Sequence, residues 1–282
     1  LGVHNHSQVL HVRADKSSWD THNLFVAPLR ELRQYRALIS NIVSRDLKVR
    51  YKRSIIGVFW TVLAPLMSMI VLWVVFTHAL KVTIPYYGAY LLSGIIAWNL
   101  FLQSSQAGIQ SVLANAALIK KVRLPRVIFP ITTVVNNLVN FGFSFLALLL
   151  VMAVSGAPFH WTLVLTPLVL IPMILFCLGW AMACSALSVF FRDLGYILEI
   201  GLQALFYLTP ILYQAESVPT RFQWILSFNP IAKYIHLFRS VVFSGELPDA
   251  RVYLVSLGLG LLSFFVGWIV FQRLQRKFLY WI

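Results

Sequence analysis

An all-α membrane fold follows from three observations on this chain. Hydrophobic residues occupy 59% of its 282 positions and charged ones only 11%, far from the balance of a soluble domain. Stretches free of Lys, Arg, Asp and Glu run over 54–80, 82–119, 127–191, 200–215 and 252–272. The 23 Lys and Arg, against 9 Asp and Glu, fall between and beside those stretches, as membrane-edge anchors do, and form no separate patch for nucleic acid.

Residues 1–27 lack the apolar core and cleavage site of a secretory signal and read as a mobile tail. Their histidines, His4, His6, His11 and His22, are spaced too irregularly to suggest a metal site. Residues 28–53, PLRELRQYRALISNIVSRDLKVRYKR, form the first organised element. Leu32, Tyr35, Ile39, Ile42 and Val43 recur at helical spacing while Arg30, Arg33 and Arg36 share another face, the pattern of an amphipathic helix lying in the membrane interface. Asp46 and Arg50 add an acid-before-base pair one turn apart.

The transmembrane domain then occupies 54–282. A helix needs about 20 residues to cross a ~30 Å hydrocarbon core. The stretch 127–191 is therefore two crossings, turned at Ser155-Gly156-Ala157-Pro158. Six spans result, at about 54–80, 88–115, 127–154, 163–190, 196–213 and 252–272. Pro167 and Pro172 suggest a kink in the fourth, since a proline inside a helix removes a backbone donor. Between the fifth and sixth lie two short apolar pieces, RFQWILSF and IAKYIHLFRSVVF, separated by Asn229-Pro230. Neither is long enough to cross, so they read as a re-entrant helical hairpin, with an ordinary outer loop on the lipid surface as the alternative. Taking alternate loops as inside puts eighteen of the 23 cations on that side and leaves Lys81, Arg221, Lys233, Arg239 and Arg251 outside, which places both termini in the cytoplasm.

The chemistry missing from the chain narrows its function. The spans hold almost no ionisable groups, so a proton or sodium relay has little to work with. No Asp-x-Asp pair, no His/Cys cluster at metal spacing and no G-x-S-x-G elbow occurs. Cys177 and Cys184 share one apolar run and read as small buried hydrophobes. The phosphate-cradling G-x-x-x-x-G-K-[ST] loop is also absent, so any ATP energy has to come from a partner. The spans offer aromatic surface instead. Tyr87, Tyr90, Trp98 and Phe101 follow one face through Gly94, and Phe206 and Tyr213 make an i,i+7 pair. Tyr86, Tyr87, Trp161 and Trp224, near the outer surface, read as an interfacial belt. For Trp98, Phe101, Phe206 and Tyr207, pore lining and helix packing both remain open.

Four segments, in order, resemble a single family: RDLKVRYKRSIIGVFWTVLAPLMSMIVLWVVF at 45–76, LLSGIIAWNLF at 91–101, NAALIKKVRLPRVIFP at 115–130, and FRDLGYILEIGLQALFYLTPILY at 191–213 with FNPI at 228–231. The family is the permease subunit of bacterial ABC transporters that export O-antigen, capsular polysaccharide or teichoic acid, and the likeness runs from about Pro28 to the C-terminus.

The resemblance implies a six-helix, multi-pass subunit of the bacterial inner membrane. It pairs as a homodimer and carries two copies of a separate P-loop ATPase on its cytoplasmic side. It implies no enzymatic activity and no cofactor in this chain, with ATP and Mg held by the partner. The cargo is expected to be a polysaccharide of O-antigen type on a polyprenyl diphosphate lipid, passing through a channel partly lined by aromatics. Candidate lining residues are Phe59, Trp60, Trp98, Phe101, Phe206, Tyr207 and Tyr213. Arg45, Lys48, Arg50, Lys52 and Arg53 are candidate contacts for the lipid diphosphate, although anchoring to anionic lipid accounts for each equally well. The cationic elbow LIKKVRLPRVIFP at 118–130 is the expected coupling element, a short helix between the second and third spans, with Leu118, Lys120, Lys121, Arg123 and Pro125 meeting the ATPase. Competing readings are an ABC permease for a smaller lipid or drug cargo and a membrane-embedded glycan-modifying enzyme.

Overall fold

The computed structural model describes residues 36–51, 57, 59–121 and 124–281. Among them all the regular secondary structure is helical. Helix α1 (Arg36–Tyr51) packs its buried Ile42 and Val43 toward the bundle. The rest of the expected 28–53 helix, and the tail before it, lie outside the described residues. Helix α2 (Phe59–Val74) ends in a π turn at Val75–Ala79, and α3 (Tyr87–Leu113) follows. A six-residue helix, α4 (Ala116–Lys121), leads to α5 (Ile128–Ser155), which Gly156 stops in the left-handed conformation at φ 73°. A 3-10 turn at Trp161–Leu165 opens α6 (Thr166–Ser188), and α7 (Leu194–Leu208) completes the first part of the bundle.

Four of these and later segments are long and apolar enough to cross a membrane: Phe59–Ala79, Ile128–Ser155, Trp161–Ser188 and Ala250–Lys277. Helix α3 is as long, 27 residues or about 40 Å, but more polar. The packing explains why: α2, α5, α6 and α7 all touch it, and most of its side chains are buried, so it has little lipid face to keep apolar. Helix α7 has only 15 residues, about 22 Å, instead of running to 213. Pro210 ends it, because the residue before a proline avoids the helical region.

The two prolines inside spans are each compensated by a neighbour. Pro65 in α2 has no N–H for the Thr61 carbonyl, and Ser144 Oγ of α5 donates to that carbonyl at 3.1 Å. Pro172 in α6 likewise leaves the Leu168 carbonyl without its helical donor, and the Tyr253 hydroxyl supplies one at 3.4 Å. Pro167 stands nearer the start of the helix. It sits in the first turn of α6, a position that proline tolerates.

After α7 come α8 (Gln223–Phe228) and α9 (Pro230–Arg239), the latter continuing as a π turn over Ser240–Ser244. The break between them falls at Asn229-Pro230. Asn229 caps α9 by accepting from the Ile231 and Ala232 amides at 3.0 and 3.3 Å, and Pro230 supplies its preset first turn. Helix α8 is exposed, whereas α9 is inserted among α3, α6 and the final long helix, with Tyr234 and Phe238 fully enclosed.

That long helix, α10 (Ala250–Leu274), is capped by Asp249 and packs along α6 in the most extensive pairing of the fold. The contact is backbone against backbone. A Cβ on Gly267 would collide with the Gly179 carbonyl, and one on Gly260 would strike the Pro172 carbonyl, so small residues set the separation of this pair. The chain finishes through a 3-10 turn at Gln275–Lys277 into α11 (Phe278–Trp281). The main core surrounds α3. A second core gathers Val112, Ile119, Phe129, Met182, Trp268 and Phe278 at the α4 end of the bundle.

Candidate functional site

Three regions hold the residues singled out by sequence. At the elbow, α4 turns Ile119 into the second core, with Leu118 packed beside it, and leaves Lys120 and Lys121 exposed. Pro125 lies beyond the helix, where its carbonyl accepts from the Ile128 amide at 3.1 Å and opens α5. Arg123 lies outside the described residues. The fourth cation of the stretch behaves differently from an anchor. Arg126 donates to the Gln275 carbonyl, its guanidinium lies 5.9 Å from the Phe278 ring, and burial lowers its pKa from the usual guanidinium value. The elbow is thereby tied to the end of α10 and to α11, a link that local sequence could not reveal.

On α1, Arg45 folds back onto Asp46 at 2.8 Å in an exposed pair, so the acid meets its neighbour in sequence. Lys48 and Arg50 are carried by the same helix, while Lys52 and Arg53 lie outside the described residues.

The aromatic candidates separate by depth within the subunit. Trp98 and Phe101 are 3% and 2% exposed. They pack against Phe206 and against Phe176 and Trp180 respectively, so in this conformation they belong to the interior. Phe206 is half-buried and touches Tyr207 edge-on. Phe59, Trp60 and Tyr207 are exposed at 73%, 50% and 61%, and Tyr213 is half-buried. Tyr86, Trp161 and Trp224 are exposed, as a belt requires, but Tyr87 is buried and corrects that expectation.

The reason Tyr87 is buried is the most organised polar structure in the chain. Past the end of α7, residues 210–213 run without helical hydrogen bonds, and four consecutive carbonyls each receive a side-chain donor. Arg239 of α9 donates to Pro210 O at 2.5 Å and Ile211 O at 2.9 Å. Tyr87 and Tyr90 of α3 donate to Leu212 O at 2.6 Å and Tyr213 O at 2.9 Å. Arg239 also reaches the Tyr90 hydroxyl, the Tyr90 carbonyl and Ser93 Oγ at 2.9, 3.1 and 3.2 Å, with its guanidinium 3.7 Å from the Tyr90 ring centre. Gly94 makes room for it, since a Cβ there would collide with the guanidinium. Loop placement of Arg239 is therefore corrected: it is 7% exposed, with no carboxylate bonded to it among the described residues. Irregular backbone inside a helical bundle has to be satisfied by protein, and this carbonyl rack does so.

Among the described residues no three His, Cys, Asp or Glu side chains come together as metal ligands, and both cysteines are buried and free. What the arrangement provides is a helical bundle with a cationic elbow, exposed aromatics on α2 and α7 and a pinned irregular segment.

The sequence model of the ABC-2 type transporter family matches residues 37–243. The chain belongs to that family. Among ABC-2 relatives, an O-antigen export system permease protein RfbA of Klebsiella pneumoniae is 32% identical over 246 residues, covering 86% of this chain and 93% of the relative. An RfbA of the same description from Myxococcus xanthus is 31% identical over 253 residues, 89% and 97% of the two chains. The polysialic acid transport protein KpsM of Escherichia coli is 23% identical over 254 residues, 86% and 96%. The ABC-2 match begins within α1 and ends in the π turn after α9, so it takes in the elbow and the carbonyl rack together.

Proposed function

We propose that the chain is the channel-forming permease of an ATP-driven exporter that carries a polyprenyl-diphosphate-linked polysaccharide, of O-antigen type, from the cytoplasm across the inner membrane. Likeness to O-antigen export permeases over almost the whole length of both chains is the observation that carries this reading. Six spans with both termini cytoplasmic fit it, with α3 and α7 as the second and fifth, and α8–α9 as a re-entrant hairpin. ATP and Mg are then bound by two copies of a separate ATPase, since the chain has no phosphate-binding loop.

Pairing of two copies is supported by the flanks left uncovered. Only Leu202 of α7 is buried, while Tyr196, Ile197, Ile200 and Tyr207 are each more than 60% exposed. Of the candidate lining aromatics, Phe59, Trp60, Tyr207 and Tyr213 are exposed or half-buried and so available to a channel, with Trp98 and Phe101 packed behind Phe206. The α4 elbow serves as the contact with the ATPase, and Arg126 passes its movement to α10. Arg45, Lys48, Arg50, Lys52 and Arg53 attract the lipid diphosphate where the cargo enters.

Reconstitution of the chain with its ATPase in proteoliposomes tests the proposal. Vanadate-sensitive, ATP-dependent movement of lipid-linked glycan is the expected result. ATP-driven movement of a small lipid or drug, with glycan left in place, defeats it. Changing Lys120, Lys121 and Arg123 together to Glu is expected to abolish ATPase association; a complex that still forms and exports returns the elbow to the role of an anchor.

A further inference from the structure

Between α2, α3 and α5 the bundle opens into a cleft of about 760 Å³, within the range of about 300–1,000 Å³ that small-molecule sites occupy. Its walls are unlike the rest of the spans. Asn99, Gln103 and Gln106 stand at i, i+4 and i+7 on α3, and Asn137, Asn140 and Ser144 at i, i+3 and i+7 on α5, so each helix turns one polar stripe toward the opening. Trp60 and Phe141 supply aromatic faces. Asn137, Asn140 and Ser144 are buried, Asn99 and Gln103 half-buried and Gln106 exposed, and polar groups buried within a spanning bundle are costly.

Internal hydrogen bonding accounts for only part of this polarity. Ser144 is used to repair the Pro65 break, and Asn137 Nδ2 lies 3.5 Å from Ser104 Oγ. The side chains of Asn99, Gln103 and Gln106 make no hydrogen bond within the described residues. Asn136, one turn before Asn140, holds its Oδ1 buried without a partner.

Among the described residues no charged side chain lines the cleft. A phosphate or carboxylate would require cations or a set of amide N–H groups, and an apolar tail would not match the amides. A carboxamide offers an acceptor and a two-hydrogen donor side by side, the complement of hydroxyl groups that both donate and accept. Amides combined with aromatic faces suit a neutral ring bearing hydroxyls on its edges and C–H groups on its faces. The geometry points to this cleft as a binding station for neutral sugar rings of the exported glycan, held by Asn99, Gln103, Gln106 and Asn140 against Trp60; the inference rests on the export reading above. Neutral hydrogen bonds exchange readily with water, which suits a polymer that has to be released ring by ring.

The test uses intact cells that make the glycan. A p-benzoylphenylalanine replaces Trp60 in one strain and Val154, 82% exposed at the far end of α5, in another. After irradiation, a ladder of glycan-bearing permease is expected from position 60 and none from 154. Gln103→Leu with Asn99→Leu should remove the ladder and lower export about tenfold, at unchanged permease abundance and ATPase association. An export-competent strain that yields no adduct at position 60 overturns the proposal, as does a ladder that survives the double replacement. Export by the unmodified chain is read separately: its absence overturns the export reading itself, whereas export without an adduct removes only the cleft.

Discussion

The carbonyl rack at residues 210–213 and the amide cleft between α2, α3 and α5 are both polar clusters inside an apolar bundle, and they differ in what their polar groups have left to give. In the rack, one arginine and two tyrosines meet four successive carbonyls. In the cleft, three amide side chains of α3 face open space. Burial of polarity thus has two meanings in this fold. Where donors and acceptors match, the cluster holds irregular backbone in place; where they do not, it is available to something from outside.

The largest effect expected to test that contrast comes from Arg239→Met. It strips the Pro210 and Ile211 carbonyls of their donors, at about 1–3 kcal/mol for each buried group left unsatisfied, and should abolish folded subunit at growth temperature. Detergent-extracted yield and thermal unfolding would measure it, and a variant as stable as the unmodified chain would break the distinction. Gly94→Ala should cost less, about 1–3 kcal/mol, because the new Cβ displaces the guanidinium without removing it. Arg239→Lys falls between the two, keeping the charge but not the fork that spans several carbonyls.

On the cleft side the signs separate. Asn99→Leu and Gln106→Leu should leave the unfolding free energy almost unchanged, within about 0.5 kcal/mol, while glycan export falls. Loss of stability at the cleft comparable to that at the rack would mean that the amides are structural after all. The smallest effect is expected of Tyr207→Ala. Its ring is 61% exposed and meets Phe206 only edge-on, so stability should hold and export should slow a few-fold in a transport assay.

Much of the architecture was legible in the residues. The turn at 155–158, the short elbow helix and the break at Asn229-Pro230 all carry local signals, namely glycine, prolines and an asparagine cap, that act on the few residues beside them. Arg239 was not legible. Hydropathy registers a charge and sends it to a loop, whereas the groups that solvate this one lie 28 and 149 residues away along the chain. Tyr87 was assigned to a belt for the same reason, its partner being 125 residues distant. The end of α7 was written in Pro210, but the run of apolar residues across it obscured the stop. The cleft did leave a trace, in amides at helical spacing on α3 and α5. A search for charged or metal-binding groups passes over them, because amides are neutral and common at helix contacts.

The glycine seam between α6 and α10 has a practical consequence for following the protein through its cycle. Two helices whose backbones touch at Gly179 and Gly267 have no side-chain layer to slide or compress, so they travel together. Spin labels on their exposed outer faces should report one unchanging separation with or without nucleotide. Every other interhelical distance can then be read against that built-in ruler.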